Sequence, residues 1–303
     1  MCGTCGCAGE AVVVGAGSDH EHTHDQEHTH DQEHTHDHEH THDDEHAHDD
    51  VHGHGHESEH ARVATERRAN VTSGTAGSGD GRIVALEIDV LAKNDGLAAV
   101  NREWFSRRGI VALNLMSSPG AGKTTLLERT VRELDLPVSV LEGDQETVLD
   151  ADRIRAAGAR VVQINTGAGC HLDAEMVARA LPVLDPADGS VVFVENVGNL
   201  VCPALFDLGE RARVVIMSVT EGADKPLKYP HMFRTADLVL LNKVDLLPYV
   251  DFDVDACVAD ARRLRPDLTV IPLSATKGDG LDAWYAWVRE LIVRGESAPG
   301  QSG

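Results

Sequence analysis

The sequence predicts an α/β fold, a mostly parallel sheet with helices on both faces, preceded by a disordered His-rich tail. Short, near-continuous Val/Ile/Leu runs alternate with helical stretches along the C-terminal three quarters of the chain. A Gly-rich loop ending in Gly-Lys-Thr sits between one such run and one such helix. Sixteen of the 18 histidines fall between His20 and His60, where almost nothing is apolar.

Each zone follows from its composition. Residues 1–19 open Met-Cys-Gly-Thr-Cys-Gly-Cys and continue through small residues, reading as a cysteine metal motif. From His22 the hexad HTHDQE fills 22–27 and 28–33, then decays through 34–39, 40–45 and 46–51. Burial gains nothing in such a tract to offset the entropy of ordering, so 20–60 is expected to be disordered. Residues 61–81, rich in Gly, Ser, Thr and Ala, read as a flexible linker. A folded domain is expected over 82–295, with a disordered tail at 296–303.

Within that domain 89–108 reads as a helix with a Leu/Ala/Val/Trp/Phe face. Strands are expected at 110–116, 138–142, 161–164, 191–194, 214–218, 238–242 and 269–273. Helices are expected between them at 123–134, 172–184, 252–264 and 281–294. In sheets of this kind the ligand sits at the carboxyl ends of the strands.

Charge and apolar content exclude several classes. Residues 1–80 hold 18 Asp and Glu against three Arg, which carries −15 of the −23 formal charge and leaves −8 to the other 223 residues. Neither part has the basic face that nucleic acid requires, so no such partner is expected. No apolar stretch is long enough for a membrane span, and 11–17 is too short for a signal-peptide core without a basic flank. Three of the six cysteines crowd into the first seven residues, a poor disulfide framework but a good source of reduced thiol ligands. Cytoplasm is the expected compartment.

The expected strand 110–116 runs into Ser117-Ser-Pro-Gly-Ala-Gly-Lys-Thr-Thr125 and then a helix, the setting of a P-loop. Backbone N–H groups across Gly120, Ala121, Gly122 and Thr125 cradle phosphates, Lys123 reaches the β and γ oxygens, and Thr124 ligates Mg²⁺. Ser117 replaces the motif's first glycine. A chance Gly-Lys-Thr turn is the plainer alternative, and the flanking strand and helix count against it. Asn242-Lys243-Val244-Asp245 ends a later strand, where the Asp245 carboxylate can accept the N1 and 2-amino hydrogens of guanine. Adenine offers neither donor, so GTP is expected over ATP. After the next strand, the run Ser274, Ala275 and Thr276 is expected to supply a backbone amide to guanine O6. Asp144, closing Glu142-Gly143-Asp144, is placed to meet Mg²⁺ or its waters. In Glu195-Asn196-Val197-Gly198, Gly198 N–H is expected at the γ-phosphate and Glu195 at the cation, with Glu where many GTPases carry Asp. No glutamine or arginine finger is identifiable, so intrinsic hydrolysis is expected to be slow.

Two cysteine groups read as metal ligands. Cys2, Cys5 and Cys7 with a terminal or backbone nitrogen give a planar S₃N set that suits Ni²⁺, with tetrahedral Zn²⁺ as competitor. A lipidated or merely reactive N-terminus would lack any basic or apolar stretch to assist anchoring. Cys170 and His171 fall in a loop after a strand, and Cys202 lies four residues past Gly198. If those loops meet, they form a partial site for a borderline metal that a dimer of chains could complete. Cys257, at an apolar helical position, reads as a small core residue, and His231 as a packing or capping group. The histidine tract reads as a weak buffer of several divalent ions, although a solubilising tail or a tag is the bland alternative.

Taken together, Cys2-x-x-Cys-x-Cys7, the His-rich spacer, NLMSSPGAGKTT (114–125), LEGDQET (141–147), TGAGCHLDA (166–174), VENVGNLVCPA (194–204) and LLNKVDLL (240–247) resemble the hydrogenase nickel-incorporation GTPase family, HypB. The resemblance implies a P-loop NTPase fold of the deviant, SIMIBI-type class. It implies GTP/GDP binding and GTP hydrolysis coupled to nickel delivery during [NiFe]-hydrogenase maturation. It further implies a nucleotide-dependent homodimer, a zinc-binding accessory maturation protein as partner and the hydrogenase large subunit as client. The family's N-terminal nickel site maps to Cys2, Cys5 and Cys7, and its G-domain site, for nickel or Zn²⁺, to Cys170, His171 and Cys202. The urease accessory GTPase is a rival, but its Cys-Pro-His motif is missing. A passive nickel store with a regulatory G domain is the rival of another class.

Overall fold

The computed structural model describes residues 12–14, 78–144 and 149–296. Cys2, Cys5, Cys7, the 20–60 tract, most of the 61–81 linker and the 297–303 tail lie outside the described residues. The strands are β1 (Val12–Val14), β2 (Val111–Ser117), β3 (Val138–Asp144), β4 (Arg160–Asn165), β5 (Val191–Glu195), β6 (Ala212–Ser218), β7 (Leu238–Asn242) and β8 (Thr269–Pro272). The helices are α1 (Ser78–Arg107), α2 (Lys123–Glu133), α3 (Leu149–Ala156), α4 (Ala174–Leu184), α5 (Lys225–Lys228), α6 (Pro230–Thr235), α7 (Val254–Leu264) and α8 (Leu281–Glu296).

The strands form one sheet in the order β1-β4-β3-β5-β2-β6-β7-β8. Strands β2 to β8 run parallel to one another. All seven were expected from the sequence. The eighth, β1, was not: it pairs antiparallel with β4, Val13 opposite Ile164. Three valines are too few to show a period, and they become a strand by pairing along the outer side of β4.

Every position of β2 is buried. A strand covered on both faces has no solvent side, so it reads as a continuous apolar run. One face packs Leu113, Phe193 and Ile216 against Leu126 and Leu127 of α2 and Trp284 of α8. The other packs Ala112, Val192 and Val194 against Phe105 of α1 and Val177 and Leu181 of α4. Farther along that second face, Val215 and Met217 meet Phe233 of α6 and Cys257 of α7. Helix α1 starts at Ser78, ahead of the boundary expected at residue 82, and α8 ends at Glu296. Helices α3, α5 and α6, of 8, 4 and 6 residues, were not anticipated, being too short for a 3.6-residue period to stand out. Among the described residues no helix is long and apolar enough to cross a membrane.

From β2 the chain crosses β5 to reach β3, while β6 and β7 extend the opposite side. The connections therefore diverge at β2, which leaves a crevice at its carboxyl end. Ser117, Asp144, Glu195 and Asn242 close their respective strands at that edge.

Candidate nucleotide and metal sites

Helix α2 starts on Gly122 at φ 97°, with no side chain capping its first amides and no acidic residue in its first turn. Most helices occupy those donors with Asp or Ser. Here they face a cavity of about 540 Å³ lined by Gly120, Lys123, Thr124, Asp144, Glu195 and Gly198, among others. An uncapped, positively polarised helix end is an anion site. Residue 122 has to be glycine, because a Cβ there would stand 2.5 Å from Asn242 Nδ2.

Lys123 Nζ donates to Ser117 Oγ at 2.9 Å. Ser117 is wholly buried at the end of β2, so the departure from the usual glycine becomes the partner of the lysine. A Cβ on Gly198 would lie 3.1 Å from the Pro119 backbone, which shows how closely the loop after β5 approaches the P-loop.

Thr124 Oγ1 donates to Glu195 Oε1 at 2.9 Å. Glu195 in turn lies in register with Glu142 on β3. Burial, then the charges of Glu195 and Asp144, push the Glu142 carboxyl up to about 8. Burial also raises Glu195 to about 7, against the pull of Lys123 and Thr124. Glu142 Oε2 and Glu195 Oε2 are both buried with no hydrogen-bond partner. Neighbouring buried carboxylates with orphaned oxygens are relieved by a cation, and an all-oxygen donor set suits a hard one such as Mg²⁺. Thr124, Asp144 and Glu195 fit that use. The place of Glu142 beside them was not legible, since it arises from the pairing of β3 with β5.

Asn242 Nδ2 donates to Ala121 O at 2.9 Å, while its Oδ1 accepts from Lys243 N at 2.8 Å and Ala275 N at 3.0 Å. Lys243 takes the left-handed conformation, φ 62°, and its Nζ donates to Gly120 O at 2.7 Å. Asn242 and Lys243 thus staple the end of β7 to the P-loop. Asp245 follows, half-buried, in a 3₁₀ turn. The Ala275 amide, expected to face guanine O6, is committed here to Asn242, because the buried Asn242 acceptor lies within its reach. Ser274 is fully buried and its Oγ accepts from Lys277 N, shaping that turn. Asp150 and Arg153 of α3 line the same cavity, and neither was identified from sequence. Arg153 is engaged by Glu128 at 2.5 Å and Thr125 Oγ1 at 3.3 Å.

The donor atoms of Cys170, His171 and Cys202 all lie within 4.8 Å of one another. The loops do meet as the sequence reading required. Cys170 Sγ is 3.7 Å from His171 Nδ1. Burial holds the His171 imidazole below its ordinary pKa, which favours the neutral, ligating form. Its ring stacks on Phe206, centroids 4.0 Å apart. Two sulfurs and a nitrogen suit a borderline metal, and three donors leave a coordination position open. Cys257 stays apart, buried against Met217 with its thiol pushed up to about 11 by burial. His231 is exposed on α6.

Fold and site together define a P-loop nucleotide-binding protein, with two thiols and an imidazole gathered beside the nucleotide cavity. Residues 111–272 match the family model described as CobW/HypB/UreG, nucleotide-binding domain. Over 215 residues the chain is 57% identical to hydrogenase maturation factor HypB of Rhizobium leguminosarum bv. viciae, covering 70% of this chain and 72% of that one. It is 58% identical over 209 residues to HypB of Escherichia coli K12, covering 68% and 72%. The crystal structure of HypB from Helicobacter pylori in complex with nickel is 38% identical, with TM-score 0.64, covering 70% of this chain and all of that one. The chain belongs to the HypB family of hydrogenase maturation factors.

Proposed function

We propose that this chain hydrolyses GTP and that its nucleotide state controls a metal at Cys170, His171 and Cys202, so that nickel is delivered during [NiFe]-hydrogenase maturation. The supporting observation is a shared segment. Gly198 abuts the P-loop, the Cys202 thiol lies within 4.8 Å of the Cys170 and His171 donor atoms, and Asn199 between Gly198 and Cys202 donates to Cys170 O at 3.2 Å.

In this reading the amides of Gly120, Ala121, Gly122 and Thr125 and the Lys123 ammonium hold the phosphates. Mg²⁺ held by Thr124, Asp144 and Glu195 supplies charge neutralisation at the γ-phosphate. Asp245 selects guanine, with the 274–276 turn beside the base edge. Zn²⁺ fits the same three-donor cluster as nickel. A second copy of the chain would complete the coordination, and exposed Val201 and Leu205, beside Cys202, offer it apolar surface. Cys2, Cys5 and Cys7 hold a separate nickel, and the 20–60 tract buffers further ions. A zinc-binding accessory maturation protein and the hydrogenase large subunit are the partners, in the cytoplasm.

The test pairs turnover with release. GTP hydrolysis and nickel transfer to a chromophoric chelator are measured for the full chain, Lys123→Ala and Cys202→Ala. Lys123→Ala should abolish hydrolysis with an unchanged circular dichroism spectrum, and Cys202→Ala should lose nucleotide-dependent release. Nickel release at one rate in the GDP and GTP forms would overturn the reading and leave a nickel store with a regulatory G domain.

A further inference from the structure

Two asparagines of α1 clamp the chain segments that carry the metal donors. Asn94 and Asn101 are seven residues apart, about two helical turns, and so project from one face. Both are buried, Asn94 at 5% and Asn101 at 2% exposure. Asn94 Oδ1 accepts from Ala174 N at 2.9 Å, and its Nδ2 donates to Asp207 O at 2.8 Å. Asn101 Nδ2 donates to Ala174 O at 2.8 Å and Leu208 O at 3.1 Å.

The partners are backbone groups, so the bonds position chain segments rather than side chains. Ala174 opens α4 three residues past His171. Asp207 and Leu208 follow Phe206, whose ring lies on His171. Arg102, on the same helix, adds two bonds to the Asp207 carboxylate at 2.7 and 2.6 Å. Asparagine is a mediocre helix former, and a buried amide is costly unless bonded. An apolar residue would dock α1 as well without either penalty; it could not bridge the two segments.

We infer that Asn94 and Asn101 are positioning residues for the Cys170–His171–Cys202 cluster, a role that rests on the proposed use of that cluster as a metal site. They hold the start of α4 and the segment after Cys202 at the separation where one ion meets all three donors. Neither touches a donor atom. Their effect passes through Ala174, Asp207 and Leu208, as outer groups commonly orient metal ligands.

The test uses the full chain with Cys2, Cys5 and Cys7 replaced by Ser, and Co²⁺ as the probe. The thiolate-to-cobalt charge-transfer band then reports on Cys170 and Cys202, since Cys257 is buried in the core. Asn94→Asp keeps the acceptor for Ala174 N but sets an acceptor against Asp207 O; Asn94→Leu and Asn101→Leu remove the bonds outright. Each should weaken Co²⁺ binding about ten-fold or more and alter the band. Affinity for a fluorescent GDP analogue and the far-ultraviolet spectrum should match the parent. Lys93→Ala, on the same helix as the two asparagines, removes only an exposed pair with Glu175 of α4 and should change neither readout. Cobalt affinity and band equal to the parent in the folded asparagine variants would overturn the positioning role. Should the leucine variants fail to fold, Asn94→Asp and Asn101→Ser decide by the same two outcomes. A band that survives Cys202→Ala would sink the metal-site reading itself.

Discussion

Asn199 Nδ2 donates to the carbonyl oxygen of Cys170 at 3.2 Å, joining the residue after Gly198 to the loop that presents a cluster thiol. Asn196 makes a second tie, its Oδ1 accepting from Leu172 N at 3.1 Å and from Val197 N at 3.0 Å. A rearrangement at Gly198 therefore pulls on both segments of the cluster. Metal affinity is expected to differ between the GDP form and a non-hydrolysable GTP form by about 1–3 kcal/mol, and nucleotide affinity by the same amount when metal is bound. Asn199→Ala should shrink that difference. Titration of both forms checks it, and a difference unchanged in the variant would show that the tie transmits nothing.

Base choice rests on one carboxylate. Asp245→Asn should weaken GTP by about 1.5–3 kcal/mol, as lost hydrogen bonds to a charged acceptor do, and improve xanthosine triphosphate, whose C2 oxygen needs a donor. Competition binding with the two nucleotides measures it. Unchanged GTP preference would remove Asp245 from the base site.

Storage should separate from hydrolysis. Deleting residues 20–60 removes no group of the nucleotide cavity, so turnover should persist while nickel bound per chain falls by several ions. Replacing Cys2, Cys5 and Cys7 should instead remove one tight nickel. Elemental analysis after dialysis distinguishes the two losses, and loss of turnover on deletion would contradict the separation.

The cysteines should differ in reactivity. With the Cys257 thiol pushed up to about 11, its thiolate is scarce at pH 8, whereas Cys170 is partly exposed. The thiolate is the nucleophile, so its scarcity protects Cys257. Brief iodoacetamide treatment followed by peptide mapping should label Cys170 and spare Cys257. Equal labelling would show that α7 is not packed as described.

Helix α8 is held over α2 by a buried bond, Trp284 Nε1 donating to Thr130 Oγ1 at 2.9 Å. Thr130→Val keeps the shape but orphans the indole N–H, at an expected cost of about 1–3 kcal/mol. Urea denaturation measures this, and an unchanged midpoint would mean that water replaces the hydroxyl.

The seven parallel strands and the P-loop were determined by the sequence alone. A strand covered on both faces must be a near-unbroken apolar run, and Gly122, Lys123 and Thr124 act as neighbours within a single loop, so both signals are local. The tertiary structure decided what depends on chain segments meeting. Glu142 stands beside Glu195 only because β3 pairs with β5, and Val12–Val14 becomes a strand by pairing along the outer side of β4. Cys170 follows β4 and Cys202 follows β5, with β3 between those strands. Their approach depends on Asn199, on Asn196 and on the α1 asparagines, whose bonds run mostly to backbone groups of distant residues. Backbone amides and carbonyls are common to nearly every residue, so no spacing of residue types along the chain can announce which of them will be bonded.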